Sequence, residues 1–293
     1  MTTADDIALP PLGKKGGEDE VPLGKRLRAA RRAAGLTLRQ TAEALKVSPA
    51  TWSAIENGRI GVSSRRLEGA TKLFDTNIDG SAALEPKLAQ WRYYPPLELS
   101  PPLTGALKAF VEFGYHGATI RTIAERSGLS VAGLYHHHPA KQDLLYELQE
   151  LTMTDLLWRA RAAREEGADP VGRFCRLVEC LALFHTYRRE LSFIGASEMR
   201  GLYPENSARI VRFRDAMQQM VDVEVIEGCR LGLMTTPLPK EAARAVVIMC
   251  TGIARWWSAN GPATPKVVAE QYVAFALGIV GATATFVSKD PIW

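Results

Sequence analysis

Apolar residues recur at helical spacing along the chain from residue 23 onward. No segment shows the sustained two-residue alternation, bounded by turn pairs, that is typical of a half-buried β-strand. The first helical stretch breaks at Gly35 and at Asn57-Gly58, and the long amphipathic stretches after residue 148 break within 167–170, 201–204, 232–239 and 260–265. Glycine or asparagine followed by proline is a typical stop and restart of a helix. The pattern predicts an all-α fold.

The same breaks predict five segments: a lead-in at 1–20, a polar helical domain at 21–80, a linker at 81–102, a compact helical domain at 103–148 and a long helical domain at 149–286. The lead-in is charged and rich in proline and glycine, which favours disorder. The linker holds five prolines around the aromatic run at 91–94. That density predicts extended backbone without helix, docked through its aromatic side chains.

Composition and charge narrow the class of protein. Of the 293 residues, 46% are hydrophobic and 23% are charged, which is ordinary for a globular protein. Since no apolar run reaches the length of a membrane span and the start has no signal-peptide pattern, we expect a cytoplasmic protein without membrane contact. The four cysteines, none paired at metal-ligand spacing, are interpreted as buried free thiols.

Positive charge is concentrated near the start of the chain. Between Lys25 and Lys72 there are eleven Lys and Arg residues against three Glu. Such an electropositive domain attracts phosphates, although a solvated basic face would have the same composition. Charge alone leaves both interpretations open.

Residues 23–59 read as three helices with a tight turn before the third. Thr37 is suited to cap the second helix, and Ser48 followed by Pro49 is a strong start signal for the third. Asn57-Gly58 is suited to end that helix in a left-handed conformation. Two helices joined by so short a turn are the geometry that places a helix end in the DNA major groove.

The run GLTLRQTAEALKVSPATWSAIENGR resembles the lambda-repressor/Cro (XRE) family over about 55 residues. The resemblance implies that Arg31 of the first helix pairs with Glu56, and we expect Trp52 to lie in the small core. Ala50 and Thr51 could read thymine methyl groups, whereas no side chain at the front of the third helix can make a bidentate base contact. The predicted DNA-binding residues are Arg39, Gln40, Ser48, Ala50, Thr51, Arg59 and Arg65. A protein-interaction module is the alternative function for this domain.

Residues 103–148 repeat this organisation with different side chains. Thr119 caps one helix, Gly128 makes the turn and Ser130 caps a recognition helix over 131–137. Gly133 allows close approach to DNA. The run GYHGATIRTIAERSGLSVAGLYHHHPAKQDLL resembles the DNA-binding signature of the TetR family. The predicted DNA-binding residues are Thr119, Arg121, Ser130, Val131, Ala132, Gly133, Tyr135, His136 and Lys141.

Two residues depart from the TetR pattern. Val131 replaces a common Lys, which weakens a phosphate or base contact, and His138 replaces a common Phe, which loosens packing against the next helix. The run His136 to His138 does not predict a metal site, because successive helix positions point about 100° apart. No metal or cofactor is expected.

The C-terminal half carries wide apolar stripes, such as Val246, Met249, Ile253 and Trp256, which mostly form core. In TetR relatives the last two helices, predicted near 240–259 and 266–284, form a four-helix bundle across a homodimer. Paired recognition helices must sit about 34–36 Å apart to meet successive major grooves, so a dimer is expected.

Segments 185–204 and 249–262 resemble the TetR branch that responds to acyl-CoA thioesters of lipid or sterol breakdown. A CoA thioester needs an apolar tunnel with cationic groups at its mouth. The predicted effector-binding residues are Phe184, Arg188, Phe193, Met199, Arg200, Arg212, Arg255 and Trp256; arginines that are solvated or paired within the protein are the alternative.

The chain is therefore predicted to be an effector-controlled regulator that binds a double-stranded DNA operator, most simply a repressor. Whether ligand releases or recruits DNA is not encoded in these residues. No nucleophile motif, phosphate loop or metal cluster indicates an enzyme.

Overall fold

The computed structural model describes residues 23–58, 62, 64–74, 91–97 and 99–282. The predicted lead-in at 1–20 and Arg59 lie outside these residues, as does the first part of the predicted linker. The chain divides into two compact units, Met1–Lys87 and Leu88–Trp293. Every regular element among the described residues is a helix, which confirms the all-α prediction.

The described residues of the first unit contain four helices: α1 (Leu23–Ala33), α2 (Leu38–Ala44), α3 (Pro49–Glu56) and α4 (Ser64–Phe74). Both predicted caps are present: the hydroxyl of Thr37 accepts a hydrogen bond from the backbone N–H of Gln40, and that of Ser48 from the N–H of Thr51. Leu27, Ala42 and Trp52 are fully buried. The ring of Trp52 meets that of Phe74 edge-on at 6.2 Å, so the expected core position of Trp52 is confirmed.

The second unit begins its regular structure with α5 (Pro101–Gly117), α6 (Ile120–Ser127) and α7 (Val131–His137). Helices α5 and α6 pack closely at Gly105, where a Cβ atom would come within 2.7 Å of the Ile123 carbonyl oxygen. Gly114 interrupts α5 with a φ of 68°, a kink the sequence analysis did not anticipate.

Among the described residues, the C-terminal domain has six further helices and one 3-10 turn. They are α8 (Lys141–Glu165), α9 (Pro170–Tyr187), α10 (Arg189–Ser197), a 3-10 turn (Met199–Gly201), α11 (Pro204–Arg230), α12 (Pro239–Trp256) and α13 (Pro265–Val280), where the turn is not numbered as a helix. All four predicted breaks fall between these elements. The last two helices are each a few residues shorter than expected. No helix among the described residues is long and apolar enough to cross a membrane.

The linker differs from the prediction at its C-terminal end. Pro101 and Pro102 are the first residues of α5 rather than linker, because the first helical turn needs no N–H donor from them. The preceding residues 91–97 are packed on α8 and α9, through Trp91, Arg92 and Tyr94. The expectation that the aromatic run docks is therefore confirmed for this part of the linker.

Candidate DNA-binding surfaces and ligand core

The first recognition helix, α3, presents a small exposed surface. Pro49 is exposed, and Ala50 and Ser53 are partly exposed. Thr51 is fully buried, and its hydroxyl lies 2.7 Å from that of Ser48. The prediction that Thr51 contacts a base is therefore wrong for this conformation, because the side chain faces the core. Ser53, one helical turn after Ala50, was missed and lies on the accessible face.

A buried ion pair holds α3 against α1. Arg31 donates to both carboxylate oxygens of Glu56, at 2.5 and 2.9 Å, and to the Leu36 carbonyl oxygen at 2.9 Å. The indole of Trp52 donates to Glu56 at 2.7 Å. The hydrogen bond to Glu56 raises the pKa of Arg31 above its ordinary value. The predicted pair is confirmed, so these charges are structural.

The other predicted residues of the first motif differ in what their side chains do. The Gln40 side-chain oxygen accepts from the N–H of Thr37 at 2.9 Å and from its hydroxyl at 2.8 Å. Gln40 is thus used in a capping box, and its amide nitrogen is the part left to meet DNA. Arg39 is exposed on α2. Arg65 is in α4, with a side chain outside the described part, so its contact stays a prediction.

The second recognition helix, α7, has a larger accessible face. The Ser130 hydroxyl accepts from the Gly133 N–H at 3.0 Å and fixes the helix start. Val131, Ala132 and Tyr135 are exposed, Tyr135 by 47%. Thr119 caps α6 in the same way, accepting from the Thr122 N–H at 3.0 Å. The side chain of His136 lies outside the described residues.

Two basic residues predicted to bind DNA have contrasting surroundings. The Arg121 side chain is 85% exposed, in a 3.4 Å ion pair with Glu125, and can turn to a phosphate at little cost. The Lys141 ammonium instead donates to the carbonyl oxygens of Tyr115 and Ala118, at 2.7 and 2.8 Å. Burial lowers its pKa. Lys141 joins the end of α5 to α8, so the structure gives it an intramolecular role where a DNA contact was predicted.

Further contacts tie the second motif to the C-terminal domain. His138 Nε2 lies 2.9 Å from Glu147 Oε2 of α8, and both side chains are largely buried. Where loose packing was expected, the histidine forms a specific polar contact, which corrects that expectation. The backbone N–H of Tyr115 donates to Glu198 at 3.2 Å, next to the kink at Gly114. The second motif is therefore in direct polar contact with α8 and with Glu198.

The interior of the C-terminal domain is unusually polar. Glu150 and Glu224 are fully buried and paired with arginines, Glu150 with Arg209 at 3.1 Å. Gln149 is 1% exposed, yet neither its side-chain oxygen nor its nitrogen has a hydrogen-bond partner in the protein. The buried Ser192 hydroxyl also has none. Buried polar atoms without partners are costly, and they favour a polar ligand.

The predicted effector residues differ in burial. Phe184 and Arg188 are buried, and Phe193 and Met199 are half-buried. The remaining ones, Arg200, Arg212, Arg255 and Trp256, are exposed. The sequence analysis missed two arginines that are withdrawn from solvent: Arg159 is 2% exposed, and the half-buried Arg214 donates to the Gly195 carbonyl oxygen and has a pKa lowered by burial. The spacing of these two arginines among apolar residues was the sequence signal that could have indicated their withdrawal from solvent.

Helices α12 and α13 leave an apolar face exposed. Ile248, Trp256 and Phe275 are 64%, 54% and 56% exposed, and Trp256 stacks on Tyr272 at 6.3 Å. The core tryptophan is instead Trp257, whose indole donates to the Ala263 carbonyl oxygen at 2.8 Å. The predicted stripe is confirmed at Val246 and Ile253, which are fully buried, but it does not extend to Trp256, so assigning Trp256 to the effector pocket was wrong.

Comparison with known sequence families matches three parts of the chain. Residues 22–84 match a helix-turn-helix domain, residues 103–148 the family of bacterial regulatory proteins described as the tetR family, and residues 167–280 a tetracyclin repressor-like C-terminal domain. The fold and the capped motifs thus define a helix-turn-helix transcription regulator. The chain belongs to the TetR family, with an additional XRE-like helix-turn-helix domain ahead of the family's own. Because the family and the relatives below are regulators, the prediction that the chain is not an enzyme is confirmed.

Relatives of known class share the second unit. The HTH-type transcriptional repressor KstR2 of Mycobacterium tuberculosis is 28% identical over 183 residues, which are 59% of this chain and 88% of that protein. Its solved structure, described as a ketosteroid transcriptional regulator, has a TM-score of 0.58 at 25% identity and covers 63% of this chain and 94% of its own. AibR, solved with isovaleryl coenzyme A and operator DNA, has a TM-score of 0.55 at 24% identity over 59% of this chain and 95% of its own, and shows the shared fold.

Proposed function

We propose that the protein is a homodimeric, cytoplasmic repressor that binds operator DNA and releases it when an acyl-CoA thioester binds in the C-terminal domain. The observation that carries the proposal is the path from α7 to the domain interior. The exposed recognition helix is joined through His138 and Glu147 to α8, and the same turn of α8 carries Gln149, whose side chain has no hydrogen-bond partner. A ligand that engages this turn changes the position of the recognition helix.

The ligand class rests on chemistry and on similarity. A buried interior that combines Phe184 with arginines is suited to an acyl chain and an anionic headgroup. The repressor KstR2 resembles this chain, and AibR, which has a similar fold, was solved in complex with isovaleryl coenzyme A and operator DNA. Acting as a co-repressor is the alternative for the ligand.

The dimer is supported by the exposed apolar face of α12 and α13. Isolated globular chains rarely expose such large contiguous apolar residues, and a second copy would bury them. Ile248→Glu, at the most exposed of the three residues named on this face, should give a monomer by light scattering and lose operator binding. A dimeric I248E protein would contradict this assignment.

The experiment for the whole proposal is selection of operator fragments from genomic DNA by purified protein, followed by fluorescence-anisotropy titration with isovaleryl-, octanoyl- and oleoyl-CoA. Moving the protein from mostly bound to mostly free requires about 10⁴-fold differential binding between its two states. Release by one chain-length class, with free CoA inactive, is the expected result. Tighter binding would indicate a co-repressor, and no response to any thioester would exclude the ligand class.

A second function for the first helix-turn-helix is favoured by one observation. With Thr51 buried, the accessible face of α3 offers Pro49, Ala50 and Ser53, a weak set for reading bases. A protein-interaction role for this domain is therefore retained as the alternative to DNA binding.

A further inference from the structure

The docked segment, Trp91–Pro95, lies between the ranges that match known families, 22–84 and 103–148. It is anchored by specific polar contacts. The buried indole of Trp91 donates to Glu166 at 2.6 Å. Arg92 donates to both oxygens of Glu179, at 2.7 and 3.0 Å, and to Glu166 at 2.9 Å. Fork-shaped pairing of this kind fixes a segment in one register.

Beyond this anchor, Tyr94 reaches the part of α9 predicted to hold the effector. Its ring stacks on Tyr187 with centroids 4.6 Å apart and meets Phe184 edge-on at 6.4 Å. The hydroxyl is buried and has no hydrogen-bond partner. The segment thus places the aromatic ring of Tyr94 against Phe184 and leaves its hydroxyl group without a hydrogen bond.

Two guanidinium groups next to Tyr94 share one carboxylate. Arg159 Nε donates to Asp155 at 2.9 Å, whereas Arg188 Nε lies 3.5 Å from the other oxygen of Asp155 and makes no hydrogen bond. All three side chains are at least nine-tenths buried. Two cations against one anion leave a positive charge that Asp155 does not balance.

The docked segment supplies the remaining partners of these arginines. Arg159 donates to the carbonyl oxygens of Trp91 and Tyr93, at 2.6 and 2.8 Å, and Arg188 donates to that of Pro95 at 2.9 Å. The Arg159 guanidinium also lies 3.8 Å from the centroid of the Tyr94 ring. Neutral carbonyl groups and a ring face are weaker partners for a buried cation than an anion is.

We infer that the docked segment is an internal occupant of the effector site, which an anionic acyl-CoA displaces. This inference rests on the proposed function. The acyl chain takes the place of the Tyr94 ring against Phe184, and an anionic group of the headgroup takes the place of the Pro95 carbonyl on Arg188. The apparent affinity for effector is then set partly by the stability of the docked state.

Displacement changes the connection to the first helix-turn-helix. With the segment docked, sixteen residues (75–90) separate α4 from its first anchored residue; with it released, residues 75–100 separate α4 from α5. A longer connection lowers the effective concentration of one DNA-binding unit beside the other. The effector thereby weakens the contribution of the first motif as well as that of the second.

The test follows the segment directly. The Tyr93 side chain is 68% exposed while its carbonyl oxygen makes the contact, so Tyr93→Cys in a Cys229→Ser background carries a spin label without disturbing the site. Octanoyl-CoA and the other thioesters are added to full-length protein, and label mobility is measured together with binding by calorimetry. Binding should raise the mobility at position 93.

Variants of the segment give the second measurement. Tyr94→Ala should bind thioester at least about tenfold more tightly, because an aromatic and cation–π contact of the competitor is removed. Tyr94→Phe keeps the ring and should stay within about threefold of wild type. Trp91→Phe loosens the anchor at a distance from Arg188 and should also tighten binding, which keeps the test usable if Tyr94→Ala does not fold.

The outcomes separate this inference from the proposed function. Thioester binding with unchanged mobility at position 93, or weaker binding by folded Tyr94→Ala and Trp91→Phe proteins, would show that the segment is a fixed wall of the site and would overturn the inference alone. If no thioester binds wild type or any variant, the ligand class fails and the inference fails with it.

Discussion

The two helix-turn-helix motifs have the same local construction and different surroundings. Ser48 and Ser130 each cap a recognition helix that is separated from the preceding helix by four and three residues, respectively. The first motif is closed on itself through the buried pair Arg31–Glu56. The second is joined to the C-terminal domain through Lys141, His138 and Glu198. The first motif is thus built as an independent unit, and the second as the output of a sensing domain.

The largest effect is expected where the first motif depends on its buried pair. Glu56→Ala leaves Arg31 buried without its carboxylate, which should lower the free energy of unfolding of the first unit by about 3–5 kcal/mol. Denaturant unfolding should then show an early transition for this unit. The exposed Glu43 on α2 provides the matched control, Glu43→Ala, with little change expected. Equal stability of both variants would contradict the structural role of the pair.

The next largest effect is expected at low pH, where the second unit should lose stability through a buried histidine. All five histidines lie in the second unit. Burial lowers the pKa of His185 to about 4, with its Nδ1 2.7 Å from the Leu181 carbonyl oxygen. The unfolded chain takes up this proton below its ordinary pKa of 6.5 and the folded chain does not, so stability present above pH 6.5 is lost as the pH falls to about 4. The loss amounts to about 3 kcal/mol.

Thermal unfolding between pH 7 and pH 4 checks this dependence. His185→Leu removes the titrating group while keeping an apolar side chain, and its second unit should lose less stability over the same range. The same loss in both proteins would show that other groups cause it.

Lys141 tests how firmly the second motif is held. Lys141→Met removes two hydrogen bonds to the end of α5, which should cost about 1–2 kcal/mol of stability given the partial exposure of the side chain. If its role is intramolecular, operator affinity falls while the salt dependence of binding stays unchanged. Arg121→Ala, by contrast, should reduce the salt slope, which is the slope of the logarithm of the binding constant against the logarithm of salt concentration, by about one per motif. A reduced salt slope for Lys141→Met would instead support the phosphate contact that the sequence analysis predicted for Lys141.

The smallest effects compare the two recognition helices at matched positions. Val131→Lys adds a cation at the front of α7 and should steepen the salt slope by about 0.9 per motif through one more phosphate contact. Ala50→Lys does the same at the front of α3 if the first motif lies on DNA. An unchanged slope for Ala50→Lys alone, measured by anisotropy, would favour the protein-interaction role of the first domain.

Local signals predicted most of the fold. The caps Thr37, Ser48, Thr119 and Ser130 and the breaks before proline depend on a few neighbouring residues, so the sequence is sufficient to place them. The Arg31–Glu56 pair followed from family resemblance. The kink at Gly114 was missed because it is paired with Glu198, which lies 84 residues away along the chain.

The ligand core was predicted less well. The spacing of an apolar stripe does not show where the helix ends, so Trp256 was included, whereas the buried tryptophan is Trp257, the cap residue after α12. The roles of Arg159 and Arg188 depend on backbone carbonyl groups of the linker. Because every residue has such a group, these contacts cannot be predicted from residue types. Prolines 101 and 102 were assigned to the linker because proline ends a helix more visibly than it begins one.

The central claim is that the second helix-turn-helix conveys the effector signal from α8 to DNA, and that the first adds operator affinity that this signal does not require. The most direct measurement is operator affinity with and without thioester for two matched variants, Ala132→Glu on α7 and Ala50→Glu on α3. The account predicts that A132E abolishes operator binding, whereas A50E binds more weakly than wild type and keeps the full effector response. An A132E protein that still binds operator and is still released by effector would contradict it.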